Sequence, residues 1–109
     1  MDELVQRLLH GKHPVVVGGP SPSLAEFKKR LEEMVYVFIK FVNTQGGTDL
    51  GMHVDKSSLD LSQADFTQST GIVHVEGMLT LNYVKVRCIA DITLETLSGT
   101  GCLVLQTVS

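Results

Sequence analysis

Apolar residues recur at helical spacing in two short segments near the start of the chain. The first segment is predicted to run from Asp2, which can cap its backbone N–H groups, to Gly11, which can adopt the left-handed conformation that ends a helix. The second segment begins at Ser23, and Ser23 and Glu26 have the spacing of a capping box. Its apolar stripe consists of Leu24, Phe27, Leu31 and Met34. A brief β-prone run, Pro14–Val17, separates the two helices.

The period changes near residue 35, where β-branched and aromatic residues begin to alternate with polar ones. Residues 35–42 and 50–55 therefore read as two strands, joined by the turn sequence Gln45-Gly46-Gly47. If Gly46-Gly47 is a two-residue loop, Phe41 lies opposite Met52 and Ile39 lies opposite Val54. The apolar faces then match, which supports this register.

A second hairpin is predicted to turn at Asn82-Tyr83. Its symmetric register pairs Leu81 with Val84, Leu79 with Val86 and Val75 with Ala90, so that one face of both arms is apolar. Residues 56–70 between the two hairpins are rich in Ser, Asp and Gln and read as a loop. Ser98–Gly101 is predicted to turn the chain once more, before a final strand from Cys102 to Val108.

These elements predict a single α+β domain over residues 1–109. N-terminal helices would precede a five-stranded antiparallel meander sheet, and the second helix would pack on its apolar face. The second helix is chosen because it has the longer apolar stripe.

Composition narrows the classes of function. The 109 residues carry a formal net charge of −3, which argues against a general nucleic-acid binder, since such proteins need a basic surface. The chain has no apolar run of 18 residues and no signal-peptide pattern, so we expect a cytoplasmic protein without a membrane span. Cys88 falls on the predicted core face and is expected to be an inert buried thiol, too far from Cys102 for a disulfide.

Large apolar groups on the predicted outer face of the sheet indicate a binding surface, because a solvated face rarely carries several of them. The predicted surface consists of Tyr36, Phe38, Lys40, Met78, Arg87 and Ile89. A homo-oligomer or another protein partner is expected to cover it. The alternative is that the loop at residues 56–70 or the first helix covers these residues.

The same outer face carries two pairs, His53 with Asp55 and His74 with Glu76, each at the i,i+2 spacing that places both side chains on one face. If the strands that carry them are neighbours, imidazole and carboxylate groups converge as they do in sites for divalent metals. The competing interpretation is a polar face with cross-strand ion pairs, such as His74 with Asp91. Beyond this divalent metal, no cofactor is predicted.

The loop before the second helix is a weaker candidate, for anion binding at a helix N-terminus. Its residues are Gly18, Gly19, Ser21 and Ser23, but the phosphate-loop pattern is absent and two prolines remove N–H donors. A plain capped turn is the favoured interpretation.

No spacing in the chain singles out a nucleophile with its base. We therefore expect a small non-catalytic binding or interaction domain that forms a homo-oligomer through the outer sheet face. The alternative is a small-ligand or metal-dependent enzyme, with His53 or His74 as general base and Asp55, Glu76 or Asp91 orienting it.

Overall fold

The computed structural model describes residues 3–20, 22–44 and 46–106. Two short helices precede most of the strands. In chain order the elements are α1 (Glu3–Leu9), β1 (His13–Val17), α2 (Leu24–Lys29), a π-helical segment (Arg30–Met34), β2 (Tyr36–Phe41), β3 (Thr48–Val54), β4 (Ala64–Asp65), β5 (Thr70–Leu81), β6 (Val84–Thr93) and β7 (Ser98–Leu105). No helix in the described ranges combines the length and the apolar character that a membrane crossing requires.

The strands form a closed barrel, so the predicted five-stranded meander is wrong. Six strands pair antiparallel in the order β3-β2-β1-β7-β6-β5, and a pairing of β3 with β5 closes the ring, while β4 lies outside on β5. The predicted sheet omitted β1, which lies between β2 and β7. Closure pairs most of the strand edges and lets the apolar faces of the strands pack against one another.

The second helix contributes to the core, but it does not span a sheet face as predicted. Its Ser23 cap is confirmed, because the Ser23 hydroxyl accepts a hydrogen bond from the Glu26 N–H at 3.1 Å. Phe27 and Leu31 are fully buried in the barrel core. The helix then widens into the π-helical segment and ends at a left-handed Val35, which leaves Met34 half exposed.

The predicted hairpin at Asn82-Tyr83 is confirmed in every pair of its register. The first hairpin keeps its predicted faces but its register shifts by four residues, so that Ile39 lies opposite Leu50 instead of Val54, and Val37 lies opposite Met52. The shift arises because β2 already ends at Phe41 and β3 begins at Thr48, and the Thr44 hydroxyl bonds to the Thr48 hydroxyl beside the start of β3. Asp2, Gln45 and residues 107–108 of the predicted final strand lie outside the described residues.

The third predicted turn, at Ser98–Gly101, is also wrong. β7 begins at Ser98, and the chain turns at residues 94–97. Gly99 and Gly101 are paired strand residues opposite Ile92 and Ala90. A side chain at Gly99 would collide with the Asp91 carbonyl, so this glycine permits a close approach of two strands.

Candidate binding surface

One row of outward side chains crosses four strands of the barrel. Tyr36 on β2 pairs with His53 on β3, His53 pairs with Met78 on β5, and Met78 pairs with Arg87 on β6. Residues paired in this way present their side chains on the same face of a sheet. Barrel closure therefore joins residues from the two predicted hairpins into one continuous outer surface.

The pairing of β3 with β5 is the shortest in the ring. It consists of His53 with Met78 and Val54 with Gly77, and we call these two pairs the junction. A backbone hydrogen bond of 2.8 Å from the Asp55 N–H to the Glu76 carbonyl extends it by one step. Within the described residues, positions 48–52 of β3 then pair only with β2, and positions 79–81 of β5 pair only with β6.

The two strands diverge beyond the junction and leave an open concavity of about 500 Å³. We call its lining the junction surface, which includes Tyr36, Gly51, His53, Met78, Thr80 and Lys85. The sequence did not indicate Gly51 or Thr80 as site residues. Only the pairing of β3 with β5 brings them together, and the order of apolar and polar residues along each strand does not reveal that pairing.

An aromatic cluster forms one wall of this surface. The Tyr36 ring packs edge-on against Phe38, with centroids 5.5 Å apart, and against His53 at 5.0 Å. Gly51 provides the room for it, since a Cβ at that position would collide with the phenol of Tyr36. The Tyr36 ring therefore lies over Gly51, and the two residues form one side of the concavity.

The six residues of the predicted binding surface all lie on the outer face and are all half-buried. The structure brings Tyr36 and Met78 together in the junction surface. Phe38 is partly covered by its own chain, with the Arg30 guanidinium 4.8 Å from its ring centroid. Lys40 lies further along β2, and Ile89 lies beside Glu76 and Cys102. A binding role for these six residues stays a prediction.

A continuous chain of ion pairs runs across the barrel next to the junction. His74 Nδ1 lies 2.7 Å from Asp91 Oδ1, and His74 Nε2 lies 2.7 Å from Glu76 Oε2. Arg87 donates from Nε to Glu76 Oε1 at 2.7 Å and from Nη2 to Asp55 Oδ2 at 2.6 Å. We call these five residues, from Asp91 to Asp55, the His74 chain.

The charges of the His74 chain stabilise one another. Hydrogen bonds to Glu76 and then to Asp91 raise the pKa of His74 above its ordinary value of 6.5. The bond from His74, followed by that from Arg87, lowers the pKa of Glu76. Ser57 and then Arg87 hold the pKa of Asp55 well below its usual range. The carboxylates of Glu76 and Asp55 are therefore ionised when His74 is protonated.

The predicted metal cluster is not assembled. His53 packs on Tyr36, away from His74, and Arg87 lies between Asp55 and Glu76. Both nitrogens of His74 are already bonded to carboxylates. Among the described residues, no three side chains of His, Cys, Asp or Glu are placed to hold a metal ion. The competing interpretation, a cross-strand pair of His74 with Asp91, matches the geometry.

In the predicted anion-binding loop, the N–H groups of both glycines are already hydrogen-bonded within the protein. The Gly19 N–H donates to the Asp49 carboxylate at 3.0 Å, and the Gly18 N–H donates to the Phe38 carbonyl at 2.9 Å. The Ser23 hydroxyl is the helix cap, and Ser21 lies outside the described residues. The loop therefore fixes Asp49 on β3 and does not present free donors at these two glycines.

A second concavity, of about 520 Å³, lies at the far end of the His74 chain. Its lining includes Asp60, Gln63, Ile72, His74 and Asp91. His74 and Asp91 thus line this second concavity, and Arg87 of the same chain contacts Met78 in the lining of the first.

Comparison with known proteins gives one family. Residues 25–109 match the model of the family described as "Core binding factor beta subunit". No curated protein matches the chain. The matched domain is a non-catalytic protein-interaction domain, which confirms the predicted class of function and the prediction of a protein partner.

Proposed function

The chain belongs to the core binding factor beta subunit family, and from this premise we propose that it forms a heterodimer with a transcription factor through the junction surface. The observation that carries the proposal is the divergence of β3 and β5 beyond the junction. It places two strand edges without a second partner, within the described residues, beside an aromatic wall.

Strand edges of this kind favour docking by another chain, because their backbone N–H and C=O groups can complete hydrogen bonds with it. The side chains around these edges suit an interface as well. Tyr36, Met78 and the neighbouring Arg87 are of the three residue types that are enriched in the cores of protein interfaces. Lys85 and His53 supply a polar rim.

A heterodimer is a better proposal than the homo-oligomer that the sequence suggested. The homo-oligomer rested on exposed apolar groups, but Arg30 lies over the Phe38 ring and the Arg87 Nη1 contacts the Met78 sulfur at 3.3 Å. The apolar area left for self-association is reduced accordingly. Sedimentation velocity of the free chain should give a monomer, whereas a concentration-dependent dimer would restore the earlier hypothesis.

The direct test places a bulky charge inside the junction surface. Thr80 is exposed on β5, so Thr80→Arg should leave the fold intact and obstruct the concavity. We expect it to weaken binding to the transcription factor encoded by the same organism by at least about tenfold, as for a residue at the centre of an interface. Isothermal titration calorimetry measures the affinity, and circular dichroism measures the melting temperature.

Thr67→Arg is the matched control. Thr67 is also an exposed threonine, but it lies in the loop between β4 and β5, outside the junction surface. This variant should bind like the unmodified chain. Equal affinities for Thr80→Arg and Thr67→Arg would place the partner elsewhere on the barrel.

A further inference from the structure

The His74 chain lies directly beside the shortest pairing of the barrel. The junction ends with the bond from the Asp55 N–H to the Glu76 carbonyl. The side chains of these same two residues are both bonded to Arg87. Arg87 therefore ties the end of β3 to β5 from outside, and Glu76 connects this tie to His74.

The geometry of His74 requires a particular protonation state. Each of its two nitrogens lies 2.7 Å from an oxygen of a different carboxylate. An ionised carboxylate only accepts hydrogen bonds, so both contacts are favourable only when both nitrogens carry a proton. In a neutral imidazole, one nitrogen would direct its lone pair at a carboxylate oxygen.

The neighbouring groups determine which contact is lost. Glu76 keeps Arg87 as a second partner, whereas the described residues offer Asp91 no cation other than His74. The remaining proton is therefore better placed on Nδ1, toward Asp91, and the contact of Nε2 with Glu76 becomes repulsive. Asp60, which is bridged to His74 through the backbone, adds negative charge from the loop side and also favours the protonated state.

We propose that the His74 chain is a pH-sensitive lock on the junction: protonated His74 holds β3 against β5, and loss of its proton loosens this pairing. The effect on binding rests on the proposed function, because Met78, which contacts Arg87, lines the junction surface. When Glu76 moves, Arg87 loses its hydrogen bond to that carboxylate, and Met78 loses the guanidinium that packs against its sulfur.

The direction of the pH dependence follows from linkage. A group whose pKa is higher in the locked state stabilises that state fully below its ordinary pKa, here 6.5. This stabilisation is lost as the pH rises through the elevated pKa of His74 in the folded protein. The junction should therefore be tightest at mildly acidic pH and should loosen toward alkaline pH.

Amide hydrogen exchange tests the lock without any partner. The observable is the protection factor of the Asp55 amide, which closes the junction, divided by that of the Val17 amide, which bonds to Leu97 elsewhere on the barrel. We expect this ratio to fall by roughly threefold to tenfold as the pH rises through the titration of His74. In His74→Gln the ratio should stay constant.

His10→Gln is the control, because His10 is exposed beyond α1 and takes no part in the chain. It should behave like the unmodified protein. A ratio that is flat in the unmodified protein, or that falls equally in His74→Gln, would overturn the lock. If His74→Gln fails to fold, Asp91→Asn replaces it. Removal of that carboxylate should move the midpoint to lower pH, and an unmoved midpoint would likewise overturn the proposal.

The outcome for the lock is separable from that for the binding site. Thr80→Arg is measured at one mildly acidic pH, where the junction is closed. Normal binding by Thr80→Arg together with a pH-dependent exchange ratio would refute the binding surface and leave the lock standing. Weakened binding together with a flat ratio would do the reverse.

Discussion

Neighbouring strands of the barrel carry two cysteines whose side chains point to opposite faces. Cys88 on β6 pairs with Leu103 and is fully buried, while Cys102 on β7 pairs with Ile89 and is half-buried. Burial raises the pKa of the Cys88 thiol to about 12. The thiolate is the reactive form of cysteine. Cys88 is therefore unreactive for two reasons: reagents cannot reach its sulfur, and its thiol stays protonated.

Thiol reactivity checks this protection at the residue scale. In Cys102→Ser, the remaining thiol at Cys88 should react with a disulfide reagent only after denaturant is added, because the folded barrel excludes the reagent. Cys88→Ser, which keeps Cys102, serves as the comparison and should react under native conditions. Rapid native modification of Cys88 would mean that the barrel core opens far more readily than its packing indicates.

Individual residues also explain why the candidate site was only partly predictable. Alternation along each strand placed Tyr36, His53, Met78 and Arg87 on the outer face, and the structure agrees. Alternation could not show that Arg87 would bond to both Asp55 and Glu76. That arrangement depends on which strands are neighbours, and it is the reason that the predicted metal ligands form an ion-pair chain.

At the scale of elements, the hairpin at Asn82-Tyr83 uses an unusual turn sequence. Both residues have positive φ values, 48° for Asn82 and 69° for Tyr83. This conformation suits a two-residue hairpin loop, but it is unfavourable for a large side chain, which is why Asn-Gly is the common sequence there. The ten matched pairs of the two arms hold the turn in place.

Tyr83→Gly should therefore stabilise the protein by about 1 kcal/mol, because glycine adopts positive φ without a steric cost. The Tyr83 side chain is fully exposed, so its removal sacrifices no packing. Urea denaturation gives the free energy of unfolding. Tyr83→Ala lacks the backbone freedom of glycine and should show little of this gain. A loss of stability in Tyr83→Gly would indicate that the tyrosine makes contacts that its exposure conceals.

Glycine has two different structural roles in this chain, ending a helix and permitting close packing of strands, and the sequence did not distinguish them. Gly11 ends α1 with a φ of 75°, as predicted. Gly99 and Gly101 suggested a turn of the same kind, but they are strand residues at a close approach of β6 and β7. A glycine that permits a turn and one that permits close packing are indistinguishable until the neighbouring strand is known.

At the scale of the whole molecule, β1 is essential to the closed barrel, although it precedes residues 25–109, which match the family. Val15 is buried and pairs with Phe41 on β2 and Gly99 on β7. Without this strand, β2 and β7 would each have an open edge and the ring would be broken.

Val15→Asp should accordingly cost several kcal/mol, because it buries an unpaired charge in the core. We expect loss of the cooperative thermal transition measured by circular dichroism. Lys12→Asp, at an exposed position just before β1, is the control and should melt like the unmodified chain. A folded, cooperative Val15→Asp protein would mean that the barrel does not depend on β1.

The sequence by itself determined much of the local structure: both helices, most of the strand segments, the inward and outward alternation and the register of the Asn82-Tyr83 hairpin. These follow from interactions between residues close in the chain, which periodicity and turn chemistry report directly. The tertiary structure decided the insertion of β1 between β2 and β7 and the pairing of β3 with β5. Those pairings join distant segments through backbone hydrogen bonds, which are the same for nearly every residue type and therefore leave no mark in the order of side chains.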